Sequence, residues 1–128
     1  MSCVVRIMSP LVLAVLLLSA AVSRPAMAHA ILVRSTPVEG ATVAPGAMDI
    51  LLTFNSRIDS SRSRLTLTGP DGTATVLPLG APAVDQLNGH ASLTQGAWVL
   101  RWQVLAVDGH ITRGDVRFKV GLPTAEAP

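Results

Sequence analysis

A two-residue periodicity of large apolar side chains constrains this chain more than any other feature. Between Ala97 and Ala106, every second residue is large and apolar, namely Trp98, Leu100, Trp102 and Val104. Successive side chains of a β-strand point to opposite faces of a sheet, whereas a helix repeats every 3.6 residues. The periodicity therefore predicts a strand with one buried face. Asp115 to Val120 repeats it, and we predict that three side chains of this segment point inward: Val116, Phe118 and Val120.

The sequence between the first 28 residues and these two segments is also typical of β-structure. Valine, isoleucine, leucine and threonine dominate, and proline and glycine interrupt them at short intervals, as in all-β proteins. Further strands are predicted over Ala30–Ser35, Asp49–Phe54, Leu65–Thr68 and Thr73–Leu77. The last two flank Gly69-Pro70-Asp71-Gly72, a sequence typical of a hairpin turn.

Two connecting segments carry weaker signals. We expect Ser56–Ser63 to hold one helical turn and Gly80–Gly89 to be a loose connection. No convincing amphipathic helix accompanies the predicted strands. About seven short strands in a chain of this size predict a small antiparallel sandwich or barrel.

The first 28 residues have the pattern of an export signal. Arg6 precedes an apolar run from Leu11 to Ala21, and Ala26-Met27-Ala28 has small residues at the positions expected before a cleavage site. The apolar run is short for a transmembrane helix, which needs about 20 residues, although an uncleaved anchor is the alternative interpretation. We therefore predict a signal peptide at 1–28, a folded domain at 29–122 and a flexible, Pro/Ala-rich tail at 123–128.

Charge and cysteine content exclude several classes of protein. The chain has ten basic and eight acidic residues, but Arg6 and Arg24 leave with the signal, so the mature chain is close to neutral. This balance argues against a nucleic-acid partner. The single cysteine, Cys3, also lies in the signal, so the mature chain has no thiol and no disulfide and depends on packing alone. We expect the mature chain to be a soluble, exported protein.

Cleavage after Ala28 makes His29 the first residue of the mature chain. An N-terminal histidine offers a free α-amine and an imidazole, which together chelate one metal ion with little chain entropy left to lose. Because an α-amine has an ordinary pKa of about 7.7–8.0, a metal must displace its proton, and binding weakens in acid. Nitrogen donors in a flat arrangement suit Cu(II) best among first-row divalent ions. His29 is therefore a candidate ligand.

A further donor has to come from elsewhere in the chain. Asp108 and His110 lie between the two best-defined strands and offer one oxygen and one nitrogen. On this spacing alone, His110 is at least as typical of a surface loop histidine, and Asp108 of a turn residue before Gly109. A histidine at the cleavage point can likewise be an accident of where the signal ends.

The mature sequence resembles the CopC family of periplasmic copper-resistance proteins over nearly its whole length. The resemblance rests on the following motifs: His29-Ala30, Ser35-Thr36-Pro37, Glu39-Gly40, Ile50-x-Leu52-x-Phe54, Trp102, Asp108-x-His110, Gly114 and Phe118-Lys119-Val120. A histidine at the cleavage point together with the D-x-H, glycine and F-x-V pattern is a specific combination, although either half alone is weak.

The resemblance implies a Greek-key β-sandwich, related to immunoglobulin-like and cupredoxin-like folds. It implies a Cu(II) site formed by the amine and imidazole of His29, by His110, and by Asp108 as a further ligand or as a residue that orients one. Better-known members carry a second, methionine-rich Cu(I) site. Here Met48 is the only methionine after the signal, so we expect no Cu(I) site, because thioether ligation needs several donors.

The implied function is non-enzymatic copper homeostasis or resistance. The protein would act as a buffer or carrier for Cu(II), with a CopD-like inner-membrane copper-transport protein as its partner on a separate chain. We interpret His90 as an exposed loop histidine outside the metal site.

Two other functions remain as alternatives. Copper enzymes that oxidise polysaccharides also use an N-terminal histidine and a second histidine. They usually need a larger domain with a flat aromatic surface, and this chain has no tyrosine. A metal-free immunoglobulin-like interaction module is the other alternative. A blue-copper electron carrier is excluded, because its site requires a cysteine ligand.

Overall fold

The computed structural model describes residues 29–122, which form eight β-strands arranged in two sheets. The strands are β1 (Leu32–Thr36), β2 (Thr42–Val43), β3 (Gly46–Phe54), β4 (Ile58–Thr68), β5 (Ala74–Leu77), β6 (Gln86–Leu93), β7 (Gly96–Ala106) and β8 (Ile111–Val120). Within these residues there is no helix long and apolar enough to cross a membrane. The expected signal peptide at 1–28 and flexible tail at 123–128 lie outside the described residues.

The two sheets confirm the expected all-β sandwich. One sheet has the order β1-β3-β6 and the other has the order β2-β8-β7-β4-β5. The connections from β3 to β4 and from β6 to β7 both cross between sheets, as in Greek-key sandwiches. One pair departs from the antiparallel expectation, because β2 runs parallel to β8. After the turn at Gly40, the chain follows the edge of β8, where the backbone N–H of Lys119 donates to the carbonyl of Ala41 at 2.8 Å.

The alternating apolar residues of β7 and β8 form the centre of the core, as predicted. Leu100, Trp102 and Val104 of β7 are buried, and so are the three inward-facing residues of β8: Val116, Phe118 and Val120. Trp98 continues the same face but is only partly buried against the core. Trp102 meets Phe54 of β3 in an edge-to-face contact, with ring centroids 5.2 Å apart. This aromatic pair joins the two sheets, and such pairs add stability beyond the area that they bury.

A glycine opposite Trp102 allows its ring to lie flat on the sheet. Gly114 of β8 pairs directly with Trp102 of β7. A Cβ atom at residue 114 would lie 2.5 Å from the ring carbon Cζ2 of Trp102, which is far inside van der Waals contact. The absence of a side chain at residue 114 therefore sets the position of the largest side chain in the core.

The expected helical turn over Ser56–Ser63 is wrong, because this segment enters β4. Ile58 is buried and pairs with Ala106 of β7. Between Asp59 and Arg64, the pairing with β7 shifts by an irregular bulge. The hydroxyl of Ser63 donates to the carbonyl of Asp59 at 2.6 Å, so a hydrogen bond within β4 stabilises the bulge. The buried residues of β4 on either side of this bulge pair with β7, which excludes a helix.

The expected loose connection over Gly80–Gly89 is also partly wrong, because β6 begins at Gln86. Its inward residues include Leu87 and Ala91, which are almost fully buried. The alternation is hard to recognise in the sequence, since Gly89 stands between them where a third apolar side chain would be expected. Eight residues of this strand pair in register with β3 and establish it instead.

Candidate metal centre

The loop between β7 and β8 is a tight hairpin that carries Asp108 and His110 at its tip. The last strand pair is Leu105 with Ile111. Beyond it, the N–H of Gly109 and the carbonyl of His110 both bond to the backbone of Ala106, each at 2.9 Å. Gly109 has a φ of +87°, a conformation that glycine adopts without strain. The hairpin therefore holds Asp108 and His110 close together on one turn.

Asp108 binds both the backbone and the ring of His110. Its Oδ1 accepts from the His110 backbone N–H at 3.0 Å, and its Oδ2 lies 2.9 Å from His110 Nδ1. A carboxylate only accepts hydrogen bonds, so the ring proton belongs on Nδ1. The lone pair on Nε2 is then free for a metal, which is the arrangement usual for metal-bound histidines with a carboxylate behind them.

The same contacts keep Asp108 ionised. The backbone N–H of His110 is the main cause that lowers the pKa of Asp108 below its ordinary value, and the cost of desolvation opposes it. The hydrogen bond to the ring of His110 and electrostatic interactions with His110 and His29 lower the pKa of Asp108 further. Because the folded pKa is depressed, this arrangement is retained at neutral pH and is lost only when the pH falls through the range where Asp108 takes up a proton.

His29 reaches the hairpin from the segment that precedes β1 of the other sheet. Ala30 has no exposed surface, so the residue after His29 is fixed in the core. Asn55 then holds the next residue twice: its Oδ1 accepts from the Ile31 N–H at 2.8 Å, and its own N–H donates to the Ile31 carbonyl at 3.0 Å. These contacts leave His29 facing the β7–β8 hairpin.

The three candidate ligands converge. His29, Asp108 and His110 each offer one ligand atom, and these atoms lie within 4.8 Å of one another. The imidazole rings of His29 and His110 stand edge to face, with centroids 5.0 Å apart. Donors bound to one ion at about 2.0–2.1 Å lie roughly 3 to 4 Å apart. Small side-chain rotations are therefore enough for these residues to hold one metal ion with two imidazole nitrogens and a carboxylate oxygen.

A family model describes most of this chain. The CopC domain matches residues 32–121, which include all eight strands and every candidate ligand except His29. The chain belongs to the CopC family. Among curated relatives of this CopC domain, Copper resistance protein C of Pseudomonas syringae pv. tomato is 32% identical over 108 residues, covering 77% of this chain and 86% of that protein. Protein YobA of Escherichia coli K12 is 32% identical over 98 residues, covering 73% and 79%.

Solved structures share the CopC sandwich. CopC from Methylosinus trichosporium OB3b has a TM-score of 0.66 and 25% identity, and the match covers 72% of this chain and 93% of that one. PcoC, a methionine rich copper resistance protein from Escherichia coli, has a TM-score of 0.59 and 22% identity, covering 73% and 100%. The second likeness concerns the fold alone.

The third histidine of this CopC domain belongs to a different part of the molecule. His90 lies on β6 and pairs with Asp49 of β3, with Nδ1 and Oδ1 2.9 Å apart. It is exposed as expected, but it lies on a strand and not in a loop. Met48 of β3 packs against the hydrophobic core. Neither residue belongs to the cluster of His29, Asp108 and His110.

Sequence reasoning missed Asn55 and the buried alanine that together orient His29. Ala30 is recognisable only as one small residue among many. Asn55 follows the predicted strand that ends at Phe54, where an asparagine is ordinary for a turn. Its partner, Ile31, is 24 residues away along the chain, and nothing in the local sequence indicates that contact.

Proposed function

We propose that this CopC domain is exported to the periplasm, trimmed after Ala28, and binds one Cu(II) ion through His29, His110 and Asp108. His29 contributes its free α-amine and its imidazole, and His110 contributes Nε2. Asp108 orients His110 and supplies the carboxylate of the site. The protein acts as a copper buffer or carrier that passes its ion to an inner-membrane copper-transport protein.

The convergence of three ligand atoms within 4.8 Å carries this proposal. His29 lies just before β1 of the three-stranded sheet, whereas Asp108 and His110 lie in a hairpin of the five-stranded sheet, so no local sequence preference accounts for their proximity. The donor set is rich in nitrogen and lacks sulfur, which favours Cu(II). The relative named Copper resistance protein C, at 32% identity, supports copper as the metal.

The α-amine is the donor that processing creates. In the uncleaved chain, the nitrogen of His29 forms a peptide bond with Ala28, and its lone pair is delocalised into the carbonyl group, so it is a poor metal ligand. Cleavage turns it into an amine attached to the same residue as a candidate imidazole ligand. The complete site therefore depends on the position of cleavage.

Two proteins that differ by one residue test this proposal. One begins at His29, and the other carries a single glycine before His29. We expect the extended protein to bind Cu(II) at least about a hundredfold more weakly, because one nitrogen donor and its chelate ring are lost, at roughly 1.4 kcal/mol per tenfold change. Competitive titration against a chromophoric Cu(II) chelator measures the difference. Equal affinities would remove the amine from the site.

The protein that begins at His29 also tests the identity of the metal, and the exported protein tests the site of cleavage. With Cu(II) and Zn(II) both present, native mass spectrometry of the form that begins at His29 should detect one copper ion per chain. Equal occupancy by zinc would contradict the assignment of copper. N-terminal sequencing of the exported protein should give His29 as the first residue.

A further inference from the structure

The segment that carries His29 has few restraints of its own. The side chain of Ile31 is 55% exposed, so its burial contributes little to holding the chain. The pairing of β1 with β3 is irregular between Leu32 and Arg34, directly after this segment. Ala30 is buried, but a methyl group gives no directional contact. The two hydrogen bonds between Ile31 and Asn55 are therefore the directional restraint closest to His29.

We infer that Asn55 is the positioning residue of this metal site, acting through Ile31 to aim the first residue of the mature chain at the β7–β8 hairpin. This inference rests on the proposed function. Asn55 does not contact the ion. It fixes the backbone two residues after His29, so that the amine and the imidazole both approach His110.

The geometry supports an effect on binding as well as on stability. Asn55 follows β3 directly and precedes the crossing to β4, so its backbone is held by the core strand that ends at Phe54. Its side-chain oxygen transmits this fixed position to Ile31 across 2.8 Å. A chelating residue that is held in place loses less freedom when the ion binds. Without the Asn55 side chain, only the backbone bond from the Asn55 N–H to the Ile31 carbonyl remains, and the metal has to supply more of the ordering of His29.

Substitutions at residue 55, made in the protein that begins at His29, test this role. Asn55→Ala should weaken Cu(II) binding by about tenfold, since the freed segment is then ordered only when the ion binds. The conformational entropy lost at that step is roughly that of immobilising one side chain. Asn55→Asp keeps an oxygen that accepts from the Ile31 N–H, so its Cu(II) affinity should stay within about threefold of the parent's. Unchanged affinity in Asn55→Ala would overturn the inference.

A matched control lies at the opposite end of β4. Asp71 Oδ1 accepts from the Thr73 backbone N–H at 2.9 Å, so Asp71→Ala also removes a side-chain oxygen that holds a backbone N–H. It should lower stability without changing Cu(II) affinity. An equal loss of affinity in both variants would mean that Asn55 acts only through general stability, and would overturn the positioning role.

A double-mutant cycle with His29 identifies the path of the effect. In a His29→Ala background, Asn55→Ala should cause a much smaller further loss of Cu(II) affinity, because the imidazole is gone and only the α-amine remains for Asn55 to position. An equal loss in both backgrounds would overturn the inference.

A measurement without metal separates failure of this inference from failure of the proposed function. Hydrogen exchange of the Ile31 amide should be faster in metal-free Asn55→Ala than in the parent, while core amides stay protected. Equal Ile31 protection in the two proteins would overturn the positioning role alone. Absence of Cu(II) binding by the parent would overturn the proposed function and the role of Asn55 in binding with it.

Discussion

At the scale of single residues, the candidate centre depends on how Asp108 and His110 share one turn. The carboxylate fixes both the backbone and the ring of the histidine two residues later. This leaves Nε2 as the candidate metal-binding atom and keeps the negative charge beside two imidazoles. His90 has a similar pairing with Asp49. Among the described residues, however, neither His90 nor Asp49 belongs to the cluster of three candidate ligands.

Three substitutions distinguish these residues. His110→Ala removes a proposed ligand and should weaken Cu(II) binding by more than about a hundredfold. Asp108→Asn keeps His110 but replaces the carboxylate that orients it, and should weaken Cu(II) binding roughly 10–100-fold. His90→Ala changes a matched histidine–aspartate pair outside the cluster and should have little effect. Isothermal titration with a competing chelator measures all three. A loss for His90→Ala as large as that for His110→Ala would refute the ligand assignment.

At the scale of elements, the β7–β8 hairpin links the core to the site. Ten residue pairs join its two strands, from Gly96 with Val120 to Leu105 with Ile111. One end of this ladder leads directly into the turn with Asp108 and His110. The middle depends on Gly114, which leaves room for the ring of Trp102. Packing at this glycine therefore determines how well the hairpin is supported.

Gly114→Ala should destabilise the domain by about 1–3 kcal/mol, because the added methyl group forces the indole of Trp102 or the strand to move. Urea unfolding monitored by tryptophan fluorescence measures this change. Gly121→Ala is the matched control, since a Cβ at residue 121 meets no atom within 4 Å, and should change stability by less than about 0.5 kcal/mol. Similar effects for both glycines would show that Trp102 does not constrain residue 114.

At the scale of the whole molecule, the site joins the two sheets at one end of the sandwich. His29 precedes β1 of the three-stranded sheet, and Asp108 and His110 connect strands of the five-stranded sheet. The contact between Phe54 and Trp102 joins the same two sheets through the core. A bound ion adds a second cross-connection between them, so binding and folding are expected to be coupled.

Cu(II) should therefore raise the melting temperature of the protein that begins at His29. At a free ion concentration of one hundred times the dissociation constant, the stabilisation is about 2.7 kcal/mol. In a domain of this size, that corresponds to a rise on the order of 10 °C. Differential scanning calorimetry with buffered Cu(II) measures it. His29→Ala should show a much smaller rise at the same free Cu(II), and identical melting temperatures with and without metal in the parent protein would contradict the coupling.

The sequence alone was sufficient for the fold class and for the strongest strands. Large apolar residues at every second position predicted β7 and most of β8, because a half-buried strand imposes that period on its own side chains. Strands with small or polar residues were not recognisable in this way. In β6, Gly89 interrupts the pattern, and the pairing with β3 determines the strand. The polar run after Ile58 likewise became part of β4 only through its long-range pairing with β7.

The same division applies to the candidate site. The sequence determined its chemistry, because the residue types His29, Asp108 and His110 set the donor atoms, and the cleavage motif before His29 predicts a free amine. Whether these donors meet was decided by the tertiary structure, since His29 precedes a strand of one sheet and His110 lies between two strands of the other. Asn55 and Ile31 show the physical reason: the contact that orients His29 joins residues far apart in the chain, and only the packed sandwich brings them together.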